Sequence, residues 1–322
     1  MSTAMNLGTR RGLSQCASPD GTFCMLAIDH RQALVKAFSR YGDKAMQEGI
    51  KFKQEVVRAL QPYSTAFLMD PVLGAGPAIA GNALSGATGL LVSVEESGYA
   101  GPAHARVSRL PANWNVEKIK RMGASAVKLL IYYHPDAETA EAMQALLAQV
   151  SQECTRCDIP FFLEILTYSP SQDGAALSDD LRRQAILRSV EELTPIGGDI
   201  LKVEFPAGLG ESRQVWGDAC RSITQASCIP WVLLSAGVDC EDFLEQTAVA
   251  CASGASGILA GRAIWKEALS LDGEERSAFL AGTARDRMRQ LAELCALSAR
   301  PYFYCYPPLT VSAEWQTEYP GF

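Results

Sequence analysis

Asp199-Ile200-Leu201-Lys202-Val203-Glu204-Phe205-Pro206 sets a lysine inside a strand-like apolar run. Ala126-Val127-Lys128-Leu129-Leu130-Ile131-Tyr132-Tyr133 repeats the pattern, and Phe161-Phe162-Leu163-Glu164-Ile165-Leu166-Thr167-Tyr168 carries an acid in the same place. Burying an unpaired ammonium or carboxylate costs on the order of several kcal/mol, so these residues are poor choices for stability alone. Desolvation and a neighbouring cation both favour the neutral amine, which is the nucleophilic form of lysine. Two lysines and a carboxylate on neighbouring strands are the groups that imine (Schiff-base) chemistry requires. A buried ion network, Lys128–Glu164–Lys202–Glu204, is the purely structural alternative. Side chains alternate along a strand, so Lys202 and Glu204 are expected on one face.

Two later segments have the composition of an anion cradle. Trp231-Val232-Leu233-Leu234-Ser235-Ala236-Gly237-Val238-Asp239 ends an apolar run in small residues, and Gly257-Ile258-Leu259-Ala260-Gly261-Arg262-Ala263-Ile264-Trp265 does the same and adds an arginine. Glycine lets backbone N–H groups approach an anion, and a helix start adds a favourable dipole. Ser235, Gly237, Gly261 and Arg262 are therefore the candidate phosphate ligands. Asp29-His30-Arg31-Gln32 closes the first apolar run. Asp29 is placed to orient a lysine or accept a substrate hydroxyl, and Arg31 to meet a second anion. The three histidines, His30, His104 and His134, show no metal-ligand spacing, so no metal and no cofactor is expected.

These residues need a frame that brings several strand ends together. Eight short β-branched-rich runs supply it: Phe23–Asp29, Ala66–Asp70, Gly89–Val94, Ala126–Tyr132, Phe161–Tyr168, Asp199–Pro206, Trp231–Ala236 and Gly257–Gly261. Most are continuously apolar, as strands covered on both faces should be. Helical patterns separate them, at 138–157, 178–193 (with Ser178 as N-cap), 240–253 and 277–298; the weakest lies within 72–88. Eight alternating units predict an α/β fold, a (β/α)8 TIM barrel, as a single domain over 21–298. No glycine-rich dinucleotide fingerprint follows Asp29, which argues against an open doubly wound sheet. Residues 1–20 read as a polar lead-in, and 299–322 as an irregular tail rich in proline and aromatics.

The bulk properties agree with a globular enzyme. The chain has 322 residues, is 48% hydrophobic and carries a formal net charge of −7, which disfavours nucleic acid as a general partner. Ten cysteines are scattered, several in apolar runs and with no secretory leader ahead of them, so a reduced cytoplasmic setting is expected. Cys154-Thr155-Arg156-Cys157 reads as a structural CxxC at a helix end. No apolar stretch is long enough for a membrane span.

The chain resembles the class I tagatose 1,6-bisphosphate aldolase family over roughly residues 20–270. The resemblance rests on Leu26-Ala27-Ile28-Asp29-His30-Arg31, the three lysine- and glutamate-bearing strands, Leu234-Ser235-Ala236-Gly237-Val238 and Gly261-Arg262-Ala263. It implies that Lys202 forms a Schiff base, that Glu164 is the acid/base, and that the Ser235–Gly237 and Gly261–Arg262 loops bind phosphate. Lys128 would favour the neutral amine of Lys202 by charge repulsion. The implied reaction is reversible cleavage of a ketohexose 1,6-bisphosphate, foremost tagatose 1,6-bisphosphate, to dihydroxyacetone phosphate and glyceraldehyde 3-phosphate. The related 6-deoxy-6-sulfofructose 1-phosphate aldolases share this machinery. Residues 255–265 look closer to that group, whereas the fifth strand looks closer to the tagatose group. His30 stands where tagatose members usually have glutamine. A transaldolase, or a sugar-phosphate-binding barrel without activity, are the remaining alternatives. A phosphorylated ketose and further copies of the chain are the expected partners.

Overall fold

Each of the eight apolar runs forms a strand in the computed structural model, which describes residues 5–319. The strands are β1 Phe23–Ala27, β2 Ala66–Met69, β3 Gly89–Ser93, β4 Ala126–Tyr133, β5 Phe161–Thr167, β6 Ile200–Val203, β7 Trp231–Leu234 and β8 Gly257–Ala260. All pair in parallel, in sequence order, and β1 pairs with β8 to close the barrel. Helices return the chain between strands, so the fold is a (β/α)8 barrel.

Strand alternation divides the core. Outward residues such as Leu26, Phe67, Leu129, Leu163 and Leu233 join the helices in one buried cluster. Inward residues such as Met25, Leu68, Leu91, Ala126, Phe162, Ile200 and Val232 fill the barrel. Lys128, Glu164 and Lys202 lie two positions beyond Ala126, Phe162 and Ile200, so they form the next inward layer toward the C-terminal ends of the strands.

The helices between the strands follow the hydrophobic periodicity, with local differences. Ser178 caps Asp179–Leu193 by accepting from the Leu181 N–H, as its sequence suggests. The segment within 72–88 keeps only a short helix, Ala75–Ala80. The pattern at 277–298 is one run in sequence but three in space: Gly273–Phe279, a π-helical turn Leu280–Ala284, and Arg285–Ser298.

Both chain ends have structure that composition does not reveal. Residues 7–16, expected as part of a lead-in, form a helix, Leu7–Cys16. Leu13 and Cys16 from this helix join the inward cluster and close the barrel's N-terminal mouth. A Cβ on Gly12 would stand 2.4 Å from the Ser125 carbonyl oxygen, so only glycine lets the helix approach this closely. From the tail, Tyr302 is buried with its ring 5.3 Å from that of Phe23, and the Tyr306 hydroxyl donates to the Asp199 carbonyl. The aromatic tail therefore seals the floor opposite the charged layer. Residues 1–4 and 320–322 of the two terminal segments lie outside the described residues. Cys154 and Cys157 are buried at the end of Ala140–Arg156, and every cysteine in the described residues is a free thiol.

Candidate active site

The inward charged layer opens into a cavity of about 400 Å3 at the C-terminal end of the barrel. Asp29, Arg31, Lys128, Glu164, Lys202, Ser235, Gly237, Gly261 and Arg262, the residues singled out by sequence, all border it. Strand register explains the centre. Glu164 is the direct neighbour of Lys202 across β5 and β6, and Leu130 of β4 lies on its other side. Glu164 Oε1 lies 2.7 Å from Lys202 Nζ, and its Oε2 lies 2.9 Å from Lys128 Nζ. The second contact is an ion pair without hydrogen-bond geometry, since Oε2 has no hydrogen-bond partner.

Lys128 is the hub of the negative charges. Its ammonium donates to Asp29 Oδ2 at 2.9 Å and to Glu95 Oε1 at 2.7 Å. Burial pulls its pKa down, but Asp29, Glu164 and Glu95 together hold it well above the ordinary lysine value. Burial likewise pushes the Asp29 carboxyl up, and the ammoniums of Lys128 and Lys202 more than reverse this, holding it well below the carboxylate range. Glu164 is pulled below its ordinary value by Lys128 and then Lys202, against the opposing effect of burial. Burial raises Glu95 despite Lys128 beside it. The Glu164 carboxylate stands between the two lysines, so its charge offsets the repulsion that Lys128 was expected to exert on Lys202.

Glu95 is the residue that sequence reasoning missed. It lies just past β3, buried, at the same rim position relative to its strand as Asp29 has to β1. An acid directly after an apolar run was the available signal. Glu204 is a correction in the other direction. β6 ends at Val203, so the chain turns away before strand alternation can point Glu204 inward. Its carboxylate instead accepts from the Thr167 N–H at 2.9 Å and from Arg182 at 3.1 Å. The four-residue network expected from sequence thus loses Glu204 and gains Asp29 and Glu95 around Lys128, Glu164 and Lys202.

Behind β1, a second buried ion pair steadies the rim. Lys53 pairs with Asp70 and also donates to the Ile28 carbonyl at 2.7 Å, one residue before Asp29. Asp70 in turn accepts from the Val72 and Leu73 N–H groups. Burial lowers the Lys53 pKa, opposed by Asp70. His30 packs edge-on against Trp265, with ring centroids 5.2 Å apart, and its Nδ1 is buried without a partner. Burial depresses this imidazole to about 4, so it is neutral near pH 7. Arg31 is tied within the protein: its Nη2 donates to the Glu95 carbonyl at 2.7 Å and to Ser93 Oγ at 3.4 Å.

The loops after β7 and β8 face each other across the opposite wall. Ser235 Oγ accepts from the Gly261 N–H at 3.1 Å and joins the two loops. Ala236 and Gly237 both take positive φ, 46° and 84°, turning the backbone tightly into Cys240–Ala252. The exposed Arg262 guanidinium lies over Gly237, where a Cβ would come 3.2 Å from Nη2. A strand-end turn, backbone N–H groups and an arginine are together suited to a phosphoryl group. Among the described residues, no group of three or more His, Cys, Asp or Glu is arranged to hold a metal ion.

Residues 23–267 match the model of the DeoC/LacD family aldolases. The chain is 29% identical to tagatose 1,6-diphosphate aldolase 1 of Enterococcus faecalis, over 91% of this chain and 96% of that protein. It is 33% identical to tagatose 1,6-diphosphate aldolase of Listeria monocytogenes, over 82% and 83% of the two chains. Among solved structures, a Schiff base-forming fructose-1,6-bisphosphate aldolase superposes with a TM-score of 0.58 at 19% identity, covering 90% of this chain and all (100%) of the other. Fructose-bisphosphate aldolase of Plasmodium falciparum gives 0.72 at 12% identity, covering 92% and 98%. These two likenesses speak to the barrel fold. The chain belongs to the DeoC/LacD aldolase family, a family of aldehyde-lyases.

Proposed function

We propose that this DeoC/LacD family member is a class I aldolase that cleaves a ketohexose 1,6-bisphosphate, foremost tagatose 1,6-bisphosphate, into dihydroxyacetone phosphate and glyceraldehyde 3-phosphate. The observation that carries the reading is the Lys202–Glu164–Lys128 bridge, in which one carboxylate touches both buried ammoniums at the floor of an open cavity. The relatives named for tagatose 1,6-diphosphate support the choice of sugar.

The C1 phosphate sits between the loops of Ser235, Gly237, Gly261 and Arg262. The neutral amine of Lys202 then attacks the C2 carbonyl, forming the C–N bond of a carbinolamine. Glu164, ion-paired with Lys202, takes the proton that frees this amine; a second amine proton passes to the former carbonyl oxygen, and the proton held on Glu164 is then given to that hydroxyl, which leaves as water and restores the carboxylate. The resulting iminium is an electron sink. Loss of the C4 hydroxyl proton to Glu164 breaks the C3–C4 bond, releases the aldehyde and leaves the electron pair on C3 as an enamine. Protonation at C3 and hydrolysis of the iminium return Lys202 and dihydroxyacetone phosphate. Lys128 remains a fixed cation that keeps Glu164 and Asp29 ionised and oriented, and Asp29 accepts a substrate hydroxyl. Arg31 borders the cavity and braces the Glu95 backbone. We place the enzyme in the cytosol as a homo-oligomer that works without a cofactor. No described helix is long and apolar enough to cross a membrane.

Cleavage of tagatose 1,6-bisphosphate and of 6-deoxy-6-sulfofructose 1-phosphate by the purified protein, followed by release of dihydroxyacetone phosphate, tests the reading. Faster turnover of the bisphosphate is expected. Preference for the sulfonate would move the assignment to the sulfofructose group, and transfer to an acceptor aldehyde without free product would make it a transaldolase.

A further inference from the structure

Arg106 lies in the long connection between β3 and β4, and its guanidinium stands over three tyrosine rings. The centroids of Tyr99, Tyr168 and Tyr132 are 4.6, 5.0 and 5.6 Å away. Such stacking fixes the plane of the cation and leaves its edge to bind elsewhere. The hydrogen bond this side chain makes, from Nε to the Ala103 carbonyl at 3.0 Å, leaves both terminal nitrogens available. Among the described residues no carboxylate is within ion-pair distance of Arg106. Of the other rim arginines, Arg182 is paired with Glu204, Arg31 has Nη2 bound to the Glu95 carbonyl but its buried Nε without a partner, and Arg262 stands at the opposite wall over Gly237. In a chain of net charge −7, a half-buried, preorganised and uncompensated arginine beside a cavity is a site prepared for an anion.

Its position defines which anion. Tyr132 lines the main cavity. Arg106 and Tyr168 line a second cavity of about 320 Å3, together with Thr167 and Arg182, and the Arg106 guanidinium reaches the first cavity's wall over the Tyr132 ring. Thr167 follows the inward Leu166 on β5 and is the register partner of the outward Tyr133, so its side chain faces the helix layer. In a closed ring of eight strands, the β3–β4 connection lies across the mouth from the ends of β7 and β8. A ketose held at C1 by the Ser235 and Gly261 loops and at C2 by Lys202 extends toward that opposite wall.

We propose that Arg106 is the residue that selects the distal oxyanion of the substrate, phosphate or sulfonate. This rests on the ketose-phosphate reading above, and it moves the distal contact away from Arg31. The test is the ratio of kcat/KM for tagatose 1,6-bisphosphate over tagatose 1-phosphate. It is measured in the wild type and in Arg106→Met, Arg106→Lys, Thr167→Val and Arg31→Met. Because both sugars meet the same enzyme preparation, loss of folded protein cancels in the ratio. Arg106→Met is expected to lower it about tenfold or more, with Lys restoring part of the loss and Thr167→Val, on the outer face, leaving it unchanged. An unchanged ratio in Arg106→Met, or a fall confined to Arg31→Met, overturns the inference while leaving the aldolase reading intact. A wild type that cleaves neither sugar overturns that reading and the inference with it.

Discussion

Glu164 and Lys202 are register partners on adjacent strands, and their carboxylate and ammonium meet at 2.7 Å. The pairing is built into the barrel rather than into a loop, so both groups are held by the most rigid part of the fold. Glu164 is also the link to Lys128, and through it to Asp29 and Glu95. One carboxylate therefore joins Lys202, the proposed nucleophile, to the charged groups gathered around Lys128.

Replacing Glu164 with Gln keeps the shape and removes the proposed base. Turnover is expected to fall by about 10²-fold or more, the usual scale for a positioned acid/base, with a smaller change in substrate binding. Steady-state kcat and KM check this. A variant with near-normal kcat would make Glu164 a structural counter-ion of the two lysines.

Arg262 is exposed and lies over Gly237 at the anion cradle, so it is assigned to the C1 phosphate that every candidate substrate shares. Arg262→Ala is expected to cost about 1.5–3 kcal/mol of binding, the scale of a charge-assisted hydrogen bond, for bisphosphate and monophosphate alike. Comparison of kcat/KM for both sugars checks it. Selective damage to the bisphosphate would mean the substrate lies in the opposite direction across the mouth.

Two half-buried groups, His30 and Asp199, are expected to give opposing pH dependences of stability. Burial lowers His30 from an ordinary value of 6.5 to about 4. Between those values the unfolded chain holds a proton that the native state lacks, so this group makes stability rise with pH. Burial raises Asp199 from 3.8 to about 6. Over that window the native state holds the extra proton, and stability falls as pH rises. Each slope is at most about 1.4 kcal/mol per pH unit, and they oppose each other between about pH 4 and 6. Urea unfolding across this range should show the rise lost in His30→Gln and the fall lost in Asp199→Asn, relative to wild type. Parallel profiles for all three proteins would contradict the assignment.

The site was legible in sequence where a charge interrupts an apolar strand. Lys128, Glu164 and Lys202 stand out because strand alternation turns them into a core that does not tolerate unpaired ions. The eight strands were legible for the same reason, with ends displaced by at most a few residues. Glu204 misled because alternation predicts direction only while the strand continues, and β6 stops at Val203. Glu95 was hidden in a polar stretch, Glu95-Glu96-Ser97, that reads as ordinary loop. Lys53 was hidden in Lys51-Phe52-Lys53, since nothing in one helix tells which of two lysines faces a buried aspartate on β2's end. The helix Leu7–Cys16 escaped because it buries Thr9, Gly12, Leu13 and Cys16, a stripe too small and polar to show as a hydrophobic face. Arg106 escaped because its partners are three tyrosines from three separate segments.

Reductive trapping tests whether Lys202 forms the Schiff base. Borohydride added to the protein with dihydroxyacetone phosphate reduces an iminium to a stable secondary amine, and peptide mass spectrometry locates it. Irreversible inactivation is expected, with the adduct on Lys202 and none on Lys128, whose ammonium is held by three carboxylates. An adduct on Lys128, or full activity after treatment with no adduct at all, would contradict it.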